Sequence, residues 1–250
     1  MSTPLFAYTL RLADDALVLG HRLSEWTSRA PTLEEEMALA NIALDLIGQA
    51  RVLYSYAGEV EGRGRSEDDL AYFRDEAAFG NLLVNELPNG DFAFTVVRQA
   101  LVSAFMLPYW TALTGSRDAT LAAIAAKAEK EVSYHLRHAA EWLVRLGDGT
   151  DESRRRSIAA LEELWPWTGE MFEMPDDERA LAEAGIAVDR AALKAEWSRT
   201  VDTILEEATL DRPRDGWMQT GGRRGVHTEH LGTMLAVMQS LARAHPGATW

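Results

Sequence analysis

The chain has 250 residues, a formal charge of −14 and no cysteine. That length is at the upper end of a single domain and can bury a substantial core. The acidity argues against nucleic acid, which needs clustered Lys and Arg. The missing cysteines exclude disulfides, a thiol nucleophile and a thiolate metal site, and they fit a cytoplasmic home. The N-terminal stretch carries Asp14 and Asp15 within its apolar part and has no basic leader, which is not the pattern of a signal peptide. Only part of 92–113 approaches the run of about 18 apolar residues that spans a bilayer, and Arg98, Gln99 and Pro108 interrupt it, so no membrane association is expected.

Alternation at period two is nearly absent and helical periodicity dominates, so the expected class is all-α: a bundle of long helices in one domain. Residues 4–28 place Leu5, Tyr8, Leu12, Asp15, Leu19, Arg22 and Trp26 on one face. Thr32 and Glu35 form a capping box for the next helix. Residues 33–57 are apolar nearly all round, which predicts a buried helix. A Gly-rich charged loop (58–69), a short helix over 67–85 and a turn at Pro88–Asp91 follow. A third long helix covers about 91–114 and a fourth about 117–146. Another covers 151–173, with Trp165-Pro166 bending or ending it. Residues 174–190 read as a small insertion with a short acidic helix. Helix returns over 191–208, and a Gly-rich loop (220–225) precedes a last helix at about 228–244. The core bundle is thus expected over about 4–173 and a less regular C-terminal extension over about 174–250.

Long helical bundles can build a di-iron centre from about four carboxylates and two histidines, supplied by glutamates and Glu-x-x-His pairs. This chain supplies too few. The helix over 91–114 has no Asp or Glu from residue 92 onward. Glu131 and His135 share a face of the fourth helix at i, i+4, but the usual spacing is i, i+3, where Tyr134 stands. They are expected to pair with each other or with neighbouring helices. Asp45 lies in an apolar run and needs a buried partner, with Arg22 and His135 the candidates. At i+3 from Asp45, where a ligand helix would present His, stands Gly48. Gly inside a helix costs about 1 kcal/mol relative to Ala, and close approach of another helix backbone would account for it. Asp15 is the acid that the first helix could offer. Near the C-terminus, His227, Glu229 and His230 straddle a loop and a helix start. Capping by Thr228 and a role at an interface explain them better than a metal does. Arg223 and Arg224 could grip an anion or a partner's acids, and Trp250 is better packed into a partner than left in water. No nucleotide-binding glycine fingerprint and no Ser-His-Asp arrangement is present.

Several long stretches carry a family resemblance: ANIALDLIGQARVLY, EDDLAYFRDE, LPNGDFAFTVVRQ, LAAIAAKAEKEVSYHLRHAAEWLVRLGDGTDES, LEELWPWTGEMF and GRRGVHTEHLG with MQSLARAHPGATW. In this order, over about 5–250, they resemble the C subunits of bacterial phenylacetyl-CoA epoxidases, multicomponent monooxygenases of aerobic phenylacetate breakdown. Leu87 before Pro88 departs from the pattern, where Gln is expected. The resemblance implies a ferritin-like bundle that acts as a non-catalytic structural subunit. It implies a catalytic A subunit as partner, holding the di-iron centre and most of the phenylacetyl-CoA site, with B and reductase subunits in the wider complex and electrons drawn from NADPH. Self-association is a further expectation. On this reading Asp15, Asp45, Gly48, Glu131 and His135 mark a vestigial metal site, and the chain itself holds no cofactor. The alternative is a free-standing di-iron oxygenase or ferroxidase using Glu131 and His135.

Overall fold

A computed structural model describes residues 3–248. Among them there is no strand, and ten α-helices are joined by short 3-10 turns. Four long helices dominate: α1 (Pro4–Ser24), α2 (Leu33–Glu61), α4 (Phe92–Leu113) and α5 (Ala119–Gly147). The all-α bundle that the periodicity predicts is the observed architecture. The short helix α3 (Glu67–Tyr72) follows α2. After α5 come α6 (Asp151–Leu164), α7 (Asp176–Glu183), α8 (Lys194–Glu207), α9 (Glu229–Met238) and α10 (Ser240–Ala244).

Local chemistry sets the boundaries. Thr3, Thr32, Asp91 and Asp118 each turn a side-chain oxygen onto a backbone N–H of the first turn, capping the four long helices. Gly62, at φ 67°, closes α2 in the left-handed conformation. Pro166 ends α6 in a 3-10 turn over Trp165–Trp167 rather than letting it run to 173.

Helix α4 is the centre of the core. By length and mean hydropathy it could cross a membrane, but 78% of its apolar window is buried inside the fold. Tyr109 joins it to α1 through Tyr8, hydroxyl to hydroxyl at 2.5 Å. The indole of Trp197 on α8 donates to the Leu101 carbonyl at 3.0 Å. Its one charge, Arg98, is fully buried and donates to the Leu87 carbonyl and to Asn89 Oδ1, each at 2.5 Å. Burial, reinforced by neighbouring Arg22, pushes the Arg98 guanidinium down to about 9.

Two expectations fail, each for a physical reason. The helix predicted over 67–85 stops at Tyr72. Beyond it, the backbone amides of Gly80, Leu82 and Leu83 point at the buried carboxylates Asp14, Asp15 and Glu170, at 2.8, 2.7 and 2.8 Å. Amides spent on side chains cannot close helical turns. The other failure is α2, which is not buried all round. Leu33, Met37, Leu44 and Val52 are exposed, because α1 covers one side, α5 meets a second edge, and α3 reaches the third only near its C-terminal end, where Glu67 accepts from Arg51 and Ser55.

The residues after 173 fold back onto the bundle. Glu178 of α7 lies fully buried between Arg190 and Arg11. The extended strap leading to residue 222 docks on Glu170, which accepts the amides of Gly221 at 2.9 Å and Gly222 at 2.7 Å. A Cβ on Gly222 would lie 2.1 Å from the Asn81 carbonyl oxygen, so only glycine lets the strap come this close. Gly222→Ala is therefore expected to destabilise the chain by on the order of 3 kcal/mol, through loss of the Glu170 bonds. Urea unfolding monitored by circular dichroism measures it.

Candidate functional site

Two regions hold the polar residues that sequence singled out, and they are separate. The first is the seam between α2 and α5. These helices run antiparallel, and polar pairs stitch them in register. His138 Nε2 lies 2.9 Å from Glu35 Oε2, and His135 Nε2 lies 3.0 Å from Asp45 Oδ2. Gln49 donates to Glu131 Oε2 at 2.9 Å, and the Tyr56 hydroxyl donates to Asp118 at 2.5 Å. Of the two candidates for Asp45, the partner is His135. Arg22 instead donates to the Glu86 carbonyl at 2.7 Å and to Glu25 at 2.7 Å. Glu131 does not pair with His135 of its own helix. It takes Gln49 across the seam and Lys127 one turn back, at 3.1 Å.

The ring of His135 is buried, and burial lowers its pKa below the ordinary histidine value even though the Asp45 hydrogen bond and charge pull it up. The imidazole is neutral at neutral pH and donates its Nε2 proton to Asp45. Gly48 sits at the open edge of the seam. A Cβ placed there meets nothing within 4 Å. The expectation that a helix backbone fills that space is wrong. The glycine leaves a notch on the outside of α2, because α5 lies on the Asp45 edge instead.

The second region is a buried clasp between α1, the 74–87 loop and the C-terminal strap. Asp15 does not face the seam. It accepts from the Leu82 amide and from Arg223, both at 2.7 Å, and burial pushes its carboxyl up while Arg223 pulls it back. Asp14 binds Arg74, the Tyr54 hydroxyl at 2.6 Å and the Gly80 amide. Glu86, fully buried, accepts from His227 Nδ1 at 2.5 Å and from the Thr228 amide and hydroxyl at 2.9 and 2.8 Å. His227 Nε2 lies 2.9 Å from the Phe79 carbonyl, so both ring nitrogens have acceptors. Burial opposes a charge on His227, but the hydrogen bond and charge of Glu86 outweigh it and raise the pKa.

The interface role expected of Arg223 and His227 is thus corrected: both point inward and are consumed by this chain's own carboxylates. Arg224 and Glu229 are exposed, and His230 is half-buried with its carbonyl accepting from Arg22 at 3.3 Å. Thr228 caps α9, as its position predicts. Trp250 lies outside the described residues. Sequence reasoning missed Asp14, Glu86, Glu170 and Glu178 as the buried acids that organise the clasp. Their signal was faint. Asp14 stands inside an apolar helix and Glu86 inside LLVNELP, but nothing local shows that Arg74, Arg223 and His227 reach them from elsewhere in the chain.

A two-iron centre needs its carboxylates and imidazoles to converge. Here Asp15 faces the clasp, Asp45 and Glu131 face different partners, and Gly48 offers no donor. Among the described residues no group of three or more His, Asp or Glu side chains is placed to hold a metal. The donor set does not fit a di-iron site.

Three outcomes test these assignments. Gly48→Ala should stabilise the isolated chain by about 0.5–1 kcal/mol, since helix propensity improves and the space is open; thermal melts measure it. His135, with its lowered folded pKa, contributes stability that falls as pH drops through about 6.5 toward that value, because the unfolded state takes the proton first. His227, with its raised pKa, contributes stability that is complete below about pH 6.5 and lost as pH rises through the folded value. The stability difference between wild type and His227→Gln should therefore shrink from pH 6 to pH 9, and that between wild type and His135→Gln should shrink on acidification.

Comparison with known proteins follows the same lines. The chain is 52% identical over 246 residues to the C subunit of 1,2-phenylacetyl-CoA epoxidase from Escherichia coli (strain K12), covering 98% of this chain and 99% of that protein. Residues 1–250 match the PaaA_PaaC family, described as phenylacetic acid catabolic protein. With a family match along its whole length and half its residues shared with a subunit of such an enzyme, this chain belongs to the phenylacetic acid catabolic protein family.

Proposed function

We propose that this chain is a structural, non-catalytic subunit of a phenylacetyl-CoA epoxidase and that it supports a separate catalytic A subunit carrying the di-iron centre and most of the thioester site. One observation carries the reading. The carboxylates and imidazoles on α1, α2 and α5 that would serve a metal are each taken by a partner within the chain: Asp15 by Arg223, Asp45 by His135, Glu131 by Gln49 and Lys127. A fold that spends its acids on internal pairs is suited to rigidity. Packed against a catalytic subunit, it would hold that subunit's ligand helices within the tolerance that metal chemistry demands. The B and reductase subunits belong to the same proposed assembly in the cytoplasm, with electrons from NADPH reaching the catalytic subunit and not this chain.

The test is metal content and turnover. Purified alone, the chain should hold well under one iron per molecule, and Glu131→Ala should not change that. Mixed with the catalytic and reductase subunits, it should co-purify with the catalytic subunit and raise its turnover of phenylacetyl-CoA. About two irons per isolated chain, lost in Glu131→Ala, would favour the free-standing oxygenase. Equal turnover with and without this chain would end the support role.

A further inference from the structure

His230 belongs neither to the seam nor to the clasp. Its backbone carbonyl accepts from Arg22 at 3.3 Å, but its ring makes no hydrogen bond among the described residues. The half-buried residue lines a surface cavity of about 540 Å³, bounded by the 87–91 turn, the start of α4, one face of α6 and the 3-10 turn after it. That volume is in the range of small-molecule sites. Its apolar part consists of Leu87, Phe94, Ala160 and Trp167. The Trp167 indole is partly buried against the core and has no hydrogen-bond partner among the described residues. A flat apolar group fits such a lining, with the indole as its stacking surface.

The charged lining is Arg155, Arg156, Asp91 and Glu163. Asp91 is already engaged: one oxygen accepts the Phe94 amide at 2.9 Å and the other accepts from Arg156 at 3.2 Å. Behind the wall, fully buried Arg98 donates to the Leu87 carbonyl and has no carboxylate partner among the described residues. Three guanidinium groups, Arg98, Arg155 and Arg156, thus stand against two carboxylates, Asp91 and Glu163, an excess of one positive charge in a chain of net −14. Glu152 also meets Arg155 and Arg156, but these side chains are 49–67% exposed, and ion pairs so exposed hold weakly. Arg155 Nη1 and Arg156 Nη2 make no bond among the described residues. An excess of one charge suits a monoanion and not a phosphate or pyrophosphate.

We infer that this cavity binds a small aromatic carboxylate, its ring on Trp167 and Leu87 and its carboxylate on the free nitrogens of Arg155 and Arg156. The bound acid ties α6 to the 87–91 turn and to His230 at the head of α9, segments distant in sequence. Every lining residue belongs to this chain, so the site needs no partner subunit.

The test uses the full chain and phenylacetate, which joins one ring to one carboxylate, with binding read by isothermal titration and ligand-observed NMR. A dissociation constant on the order of 0.1–1 mM is expected for a ligand of this size. Benzyl alcohol keeps the ring without the charge, and inorganic phosphate keeps charge without the ring; each should bind at least about tenfold more weakly. Arg156→Gln removes an anion contact, and Ala159→Trp fills the cavity from an exposed position. Thermal melts should show both folded, and each should weaken phenylacetate binding by about tenfold or more. Arg179→Gln, at an exposed arginine on α7, should bind as wild type does. If phenylacetate does not bind at millimolar concentration, or if both cavity variants bind it as wild type does, the site is overturned. If benzyl alcohol binds as tightly as phenylacetate, the cavity is an apolar hollow and the assignment of an anion fails.

Discussion

A buried carboxylate must be matched by donors, and in this chain that requirement decides the path of everything outside the long helices. Asp14, Glu86, Glu170 and Glu178 are fully buried, and Asp15 nearly so. Leaving any one unpaired would cost several kcal/mol. The donors come from distant parts of the sequence: Arg74 and the amides of Gly80, Leu82 and Leu83 from the loop after α3, and Arg190, Gly221, Gly222, Arg223, His227 and Thr228 from the C-terminal third. The loop cannot be helical because its amides are committed, and the strap cannot drift because Glu170 and Glu86 hold it. The clasp is one object made by three segments.

The same accounting separates this bundle from a metal-binding one. In a di-iron protein the cation that neutralises inward carboxylates is the metal. Here guanidinium groups, an imidazole and backbone amides do that work, and they do it in two places that do not communicate through shared ligands. The α2–α5 seam sets imidazoles, an amide and a phenol against carboxylates near the solvent edge, while the clasp matches buried carboxylates with guanidinium groups, an imidazole and backbone amides. That difference explains the opposite behaviour of the two histidines. His135 is buried beside a half-exposed Asp45 and its pKa is lowered, whereas His227 lies against a fully buried Glu86 and its pKa is raised.

Helix α2 is only partly covered by its own fold. Its side facing α1 is packed, its edge on α5 is tied by Asp45, Gln49 and Tyr56, and its remaining side leaves Leu33, Met37, Leu44 and Val52 exposed beside Asn41 and Arg51. Judged within the chain, Gly48 is a weak point in that helix.

Sequence by itself determined the class of the fold, the long helices and most of their ends. Those follow from periodicity and from caps such as Thr32 and Thr228, which act over two or three residues. It also determined the shortage of metal donors, since counting acids and histidines requires no geometry, and the long motifs carry the family. Tertiary structure alone decided which donor meets which acid. Arg223 reads as a free surface cation until Asp15, 208 positions away, is brought 2.7 Å from it. Gly48 reads as a close contact until the helices are placed and the space beside it proves open. Pairing across such separations depends on where whole helices lie, and no local pattern of side chains encodes that.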